Sequence, residues 1–317
     1  IFQWFIFLFN VKVVNKILRK HQNIKFFVFY NYQSFAFLRA IKILKRKNIK
    51  IISDCTEWHE ASEGGLLKRI MKKIDVHLRM IWINKNKVDG IIVISKFLLE
   101  FYSKQKTILL PPLVDKQDDK WISEPIDDAL KNNETVTFIY AGQPGESKDN
   151  LGKIIKTFSS LKGKVRNRFL FNIIGISEEE FKLVYKFDED VYNGIVLFHG
   201  RVEHKAALLL VKKSDFMIFY RDKSRVTEAG FPTKFVESIT CGTPVITNTS
   251  SNIMDFLLEG KNGFIVSSDD LELEGKLQSI INMDKESILI MKSNCLKEDV
   301  FDYRNYENQF KEFLDTI

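Results

Sequence analysis

The sequence predicts an α/β protein made of two doubly wound domains, and three observations predict it. Ten apolar runs of strand length alternate with stretches of helical spacing, the pattern of parallel sheets covered by helices on both faces. Residues 109–135, with two adjacent prolines and a polar, acidic continuation, interrupt that alternation. The 317 residues, 45% hydrophobic and 28% charged, suffice for two globular cores.

The expected strands, in order, are 26–30, 49–53, 90–94 and 107–110 before the interruption, then 136–141, 169–174, 195–200, 216–220, 244–247 and 263–266 after it. Stretches such as SFAFLRAIKILKRKN and HKAALLLVKKSD supply helices between them. The boundaries are set at 1–115 for a first Rossmann-like domain, 116–134 for a linker and 135–300 for a second Rossmann-like domain. Residues 301–317 are read as one terminal amphipathic helix, with Phe301, Tyr306, Phe310, Phe313 and Leu314 on its stripe. Two such domains place a cleft between the carboxyl ends of their sheets, where open α/β sheets bind ligands. The opening IFQWFIFLFN is too short to span a bilayer and reads as a buried piece rather than an anchor.

Charge separates the halves. Residues 1–125 hold 23 Lys and Arg against 11 Asp and Glu, and the remainder holds 25 against 30. The first part therefore faces something anionic, such as a membrane surface or a lipid diphosphate. No nucleic-acid-binding motif accompanies the charge, so nucleic acid is not an expected partner. Three widely spaced cysteines, Cys55, Cys241 and Cys295, form neither a disulfide framework nor a zinc pattern. They suit a reducing cytoplasm.

The most informative stretch is GFPTKFVESITCGTPVITN, Gly230 to Asn248. Pro232 suits the first position of a helix, which puts Thr233 and Lys234 in its first turn, beside unpaired N–H groups and the positive end of the dipole. Glu237 follows Lys234 by three residues and shares its face. Lys234 is suited to neutralise a leaving diphosphate, and the two oxygens of Glu237 to accept bonds from ribose hydroxyls. Arg221, Lys223, Arg225 and Glu228 string along the loop before this helix.

A second candidate phosphate site lies in FIYAGQPGESKDN, where a strand ends at Ala141-Gly142, Ser147 is placed to cap the next helix and Lys148 stands at its start. It is neither a G-x-G-x-x-G dinucleotide fingerprint nor a P-loop. In the first domain a strand delivers Asp54, Glu57, His59 and Glu60 to one loop. They lack metal-ligand spacing and are read as polar contacts to an acceptor. Ser95 is the expected N-cap of the following helix, with its neighbouring N–H groups close to substrate. His199 and His204, either side of Arg201, are read as structural.

In these residues the chain resembles the family-4 retaining glycosyltransferases. GFPTKFVESITCGTPVITN followed by LLEGKNGFIV is similar to that family's donor-site signature, and FIYAGQPGESKDNLGKIIKTF, IVLFHGRVEHKAALLLVKKSDFMIF and DGIIVISKFLLEFY fall where its other landmarks occur. The resemblance implies a GT-B fold, a first domain that binds an acceptor and a second that holds a nucleotide-diphosphate sugar. It implies sugar transfer with retention, to a glycan or lipid-linked glycan, as in bacterial-type surface polysaccharide synthesis, at the inner face of the membrane. No metal or other cofactor is implied. Lys148, Lys234 and Glu237 are the implied catalytic residues, with Gly142, Gln143, Thr233 and Thr243 around the donor. Gln143 stands where the family often has Arg, leaving Arg201 or Arg225 to replace that contact. The implied first acid is also displaced, since eight residues separate Glu228 from Glu237. The family's first strand and glycine-rich loop are expected to be absent, leaving the first domain incomplete. Two alternatives stay open: a GT-B nucleotide-sugar epimerase or hydrolase, and a non-catalytic nucleotide-sugar-binding subunit.

Overall fold

The computed structural model describes residues 9–58, 65–121, 135–144, 149–161, 163, 165 and 168–317. It divides into two compact units: Ile1–Pro111 with Glu228–Phe231 and Tyr306–Ile317, and Pro112–Thr227 with Pro232–Asn305.

The first unit holds a four-stranded parallel sheet, β1 (Phe26–Tyr30), β2 (Lys50–Cys55), β3 (Gly90–Val93) and β4 (Thr107–Leu109), in that spatial order. Neighbouring residues of β2 serve opposite faces, as a pleated strand requires. On one face Ile51 joins Phe29 and Phe37, Ala40, Ile41 and Leu44 of the helix Ser34–Lys45, whose apolar residues recur at three- and four-residue steps. On the other face Ile52 and Ile108 meet Phe313, flanked by Phe310, Leu314 and Ile317.

That second cluster corrects the expected C-terminal helix. The helix runs over Glu307–Thr316 and belongs to the first unit. Phe301 instead packs in the second unit, its ring 5.0 Å from Phe256 and 6.0 Å from Phe235. Between them Asp302 accepts from the Arg304 guanidinium at 2.8 Å and pins a short 3-10 turn, Tyr303–Tyr306. The aromatic residues of 301–317 therefore serve two cores rather than one stripe.

The second unit holds a six-stranded parallel sheet: β5 (Val136–Ala141), β6 (Phe169–Ile174), β7 (Val196–Gly200), β8 (Phe216–Ile218), β9 (Val245–Thr247) and β10 (Gly263–Ile265). Their order is β7-β6-β5-β8-β9-β10. The chain builds outward from β5 to one edge, then returns to β8 and builds to the other, so the topological switch point lies between β5 and β8. Phe138 and Phe216 face each other across that pair, ring centroids 5.9 Å apart, and Phe158 of the helix Leu151–Leu161 covers Phe138 at 4.9 Å. All ten expected strands are present, with ends moved by no more than two residues.

Candidate functional site

Doubly wound sheets hold ligands outside the carboxyl ends of their strands at the switch point. Here β5 ends in Tyr140 and Ala141 and Gly142 follows, while β8 runs on into Phe219, Tyr220 and Arg221. The two ends are fastened by the Asn150 N–H, which donates to the Tyr220 carbonyl at 2.7 Å. Gly142 and Gly175, at the tips of adjacent strands, have φ of +136° and +107°. A Cβ on Gly175 would lie 2.3 Å from the Gly142 carbonyl oxygen, so only glycine lets these tips meet.

A buried ionic cluster fills this point. Asp149, its side chain 7% exposed, is ion-paired with the Lys234 ammonium, accepts from the Tyr140 hydroxyl at 2.8 Å and lies 3.6 Å from Arg221 Nε. Lys234 Nζ also stands 4.0 Å over the Tyr140 ring, a cation–π contact. The Lys234 side chain is 13% exposed, and a Cβ on Gly142 would lie 3.3 Å from its nitrogen. Burial lowers the affinity of Lys234 for its proton, and the Asp149 charge opposes that loss. Burial, then the Asp149 charge, pushes the Tyr140 phenol upward, so it serves as a neutral donor. Two cations share one carboxylate, which leaves net positive charge at the strand ends. The ammonium also faces the Phe219 ring at 5.6 Å, so it sits between one carboxylate and two aromatic rings.

The helix that presents Lys234 runs over Thr233–Thr240. Pro232 is its N-cap, with φ −73° and ψ 111°, rather than its first residue; the extended ψ keeps it outside the turn. Thr233 and Lys234 still occupy the first turn, and Thr233 is exposed. Lys234 and Glu237 do not converge on one solvent-facing patch. Lys234 turns to Asp149, whereas Glu237, one-third exposed, meets His204 Nε2 at 3.1 Å. His204, expected to be structural, is thus the neighbour of the candidate ribose-binding acid.

Several other expected residues have settled roles. Thr243 is fully buried and donates its hydroxyl to the Val211 carbonyl at 2.7 Å, fastening the turn before β9. Ser95 caps the helix Lys96–Phe101 as expected, accepting from the Leu98 N–H at 3.3 Å. Its hydroxyl donates to the Ala229 carbonyl at 2.8 Å, so it is held inside the first unit. Gln143 is exposed at the end of β5. Arg201 is exposed and paired with Glu180 at 3.1 Å, and Arg225 is exposed at the start of the short helix Arg225–Ala229. Glu228 lies in that helix, in the segment that belongs to the first unit. Asp54 is the penultimate residue of β2, and Glu57 follows in the loop; the Asp54 Oδ1 is buried with no hydrogen-bond partner, and burial pushes its carboxyl up to about 6. Lys148, Ser147 and His59 lie outside the described residues. At the start of the helix Leu151–Leu161, Asn150 Oδ1 accepts from the Lys153 N–H at 3.0 Å.

Asp149 and Tyr140 were not anticipated from the sequence. The available signal was a tyrosine at the penultimate position of a buried strand, whose hydroxyl needs a partner, and an acid nine residues later in the loop. Among the described residues no group of three or more His, Cys, Asp or Glu is arranged to hold a metal ion.

A doubly wound sheet with a cationic cluster at its switch point, in a chain with a second parallel sheet, defines a class. The fold is GT-B. It is similar to an Anabaena protein, HepE, solved with UDP (13% identity, 96% of this chain and 82% of that chain, TM-score 0.69). It is also similar to sucrose-phosphate synthase from Thermosynechococcus elongatus (15% identity, 96% of this chain and 76% of that chain, TM-score 0.67). The family model of the glycosyl transferases group 1 matches residues 119–294, and the chain belongs to that family. An uncharacterized glycosyltransferase of Methanocaldococcus jannaschii is 21% identical over 243 residues, 73% of this chain. The chain spans 59% of that relative's length.

Proposed function

We propose that the protein transfers a sugar from a nucleotide-diphosphate donor, held by the second unit, to a glycan or lipid-linked glycan, with retention at the anomeric carbon. The observation that carries this reading is the net-cationic cluster of Lys234, Arg221 and Asp149 beneath Gly142 at the switch point. A diphosphate there meets the positive charge of Lys234 and Arg221 and the positive end of the helix Thr233–Thr240. Lys148 adds a further cation from the same loop, and Glu237 takes the ribose hydroxyls, with His204 fixing its orientation. The acceptor oxygen bonds the anomeric carbon on the face from which the diphosphate departs. The electron pair of the broken C–O bond leaves on the diphosphate, and the acceptor proton leaves with it. The protein supplies charge stabilisation of that leaving group.

The acceptor side is assigned to Asp54 and Glu57 at the carboxyl edge of the first sheet, with His59 from the same loop. A role in surface polysaccharide synthesis, at the inner face of the membrane, fits the basic first unit. Family membership and the likeness to a structure solved with UDP support the donor class.

Calorimetric titration with UDP, GDP and their sugar conjugates tests the reading. One nucleotide should bind, and Lys234→Ala and Glu237→Ala should each weaken it by about 1.5–3 kcal/mol, the worth of a hydrogen bond to a charged group. Unchanged affinity in both variants removes this donor site. Binding without turnover on any lipid-linked acceptor selects the non-catalytic subunit instead, and release of free sugar or an epimer selects the hydrolase or epimerase.

A further inference from the structure

The helix Leu66–Val76 in the first unit contains no buried residue. Leu66 is 78% exposed, Leu67 63%, Ile70 46% and Ile74 50%. Their spacing gathers them on one side of the helix. Its other side is tied down: Asp75 accepts from the Ser34 N–H at 2.8 Å and from the Ser34 hydroxyl at 2.7 Å. That anchor also sets the helix near the start of Ser34–Lys45, where Phe35 meets Phe9 at 5.3 Å and both rings are partly exposed. Leaving so many large apolar side chains in water forgoes their transfer free energy.

The charges around the stripe identify what covers it. Lys68, Arg69, Lys72 and Lys73 are interleaved with the apolar residues, and the helix has a single acid, Asp75, already engaged by Ser34. Arg69 and Lys73 flank the apolar face, while Lys68 and Lys72 stand on the opposite side. An apolar face with a basic flank matches a lipid interface with anionic headgroups: aliphatic side chains enter the acyl boundary while the flanking lysine and arginine meet phosphate. No helix among the described residues is long and apolar enough to cross a membrane, which fits a helix lying in the interface plane. We infer that Leu66–Val76, with Phe9 and Phe35, is the surface by which the chain docks on an anionic lipid leaflet. The inference deepens the proposed function and rests on it for its purpose, because the leaflet is where a lipid-linked acceptor is found.

Flotation of the full chain with vesicles of phosphatidylcholine, with and without phosphatidylglycerol, tests it. The chain should float with the anionic vesicles and release as salt rises. Leu67→Glu with Ile70→Glu should cut binding by at least about tenfold, and Arg69→Gln with Lys73→Gln by about fivefold per charge, the factor expected for one basic residue near an anionic surface. Thermal melts by circular dichroism establish that each variant is folded, and the Gln pair changes only exposed positions. Equal flotation of wild type and both variants overturns the proposal, as does no flotation of wild type. A dimer in sedimentation equilibrium that dissociates in the Glu variant also overturns it, assigning the face to a second copy. UDP titration of the same samples separates this outcome from the donor reading: intact nucleotide binding with no flotation sinks the docking surface alone.

Discussion

The Lys234 ammonium is ion-paired with Asp149, 85 residues earlier in the sequence, beneath the glycine that follows β5. The pair joins the first turn of one helix to the loop ahead of another across the switch point of the sheet. The lysine expected in the first turn of a helix is held there by a carboxylate and an aromatic face. Holding it in place reduces the side-chain entropy that a ligand must overcome when it binds. Burial lowers the proton affinity of Lys234, and the Asp149 charge works against that loss.

Lys234→Met and Asp149→Asn should therefore interact. Asp149→Asn leaves two buried cations without their carboxylate, whereas Lys234→Met leaves Asp149 with Arg221 alone, so each change costs stability through the pair it breaks. A double-mutant cycle by urea denaturation should give a coupling of at least about 1 kcal/mol, within the range for contacting residues. Asp149→Asn should also make UDP affinity fall as pH rises, because Lys234 without its counter-charge loses its proton more readily. Additive stabilities would mean that the pair does not form in solution.

Much of this fold was legible in the sequence, and the reason is physical. Strands of a parallel sheet are covered on both faces and read as continuous apolar runs, so FFVFY, VTFIYA and FLFNII marked themselves to the residue. The helix start at Thr233 was legible from proline and the two residues after it. Partner choice was not legible. Asp149 meets Lys234 only because β5 and β8 are neighbours, a fact of strand order that no local pattern carries. The C-terminal stripe misled for a related reason: Tyr306, Phe310, Phe313 and Leu314 share one face at helical spacing, but Phe301 does not, and Asp302 and Arg304 fasten a turn that sends it to another core. Thr243 looked available because its sequence neighbours form a turn, whereas its hydroxyl is committed to the Val211 carbonyl.

Gly175→Ala should impair the donor site without touching any charged residue. The new Cβ would stand 2.3 Å from the Gly142 oxygen and 3.0 Å from the Gln143 nitrogen, at a φ that side chains rarely adopt. The tip of β5 must move, and Lys234 rests against it. We expect a loss of stability of about 1–3 kcal/mol, the range for a residue forced into such a backbone conformation. Nucleotide affinity should fall in the same variant, and UDP binding at wild-type strength would show that the tip of β5 plays no part in the site.

Asp54→Asn should change how stability varies with pH. Burial raises the Asp54 carboxyl to about 6 in the folded chain, against about 3.9 in an unfolded one. Between those values the folded state holds a proton that the unfolded state has lost, so stability falls as pH rises through this window and the penalty is complete above it. Its ceiling is about 3 kcal/mol. Urea unfolding of wild type and variant at pH 4 and pH 7 checks this: the variant should gain on wild type at the higher pH. Parallel curves would place Asp54 in contact with water or a partner.

Lys292 gives the opposite slope. It is 6% exposed, and its ammonium donates to the Lys212 and Ser214 carbonyls at the end of the helix His204–Lys213. Burial lowers it to about 8, while Asp215, Cys295 and Cys241 pull it upward and Lys285 pushes it down. An unfolded lysine titrates near 10.4. Between about pH 8 and 10 the unfolded chain therefore binds more protons than the folded one, and this residue's contribution to stability climbs with pH. The slope reaches at most about 1.4 kcal/mol per pH unit, the worth of one proton. The buried thiols of Cys241 and Cys295, pushed up to about 12, titrate in the other sense above pH 9, so the readout is a difference between two proteins. Lys292→Met should be the less stable at every pH because it orphans two carbonyls, and its deficit relative to wild type should widen as pH rises from 8 to 10. A deficit that stays constant across that range would mean that Lys292 keeps its proton in the folded core, with Asp215 outweighing the cost of burial.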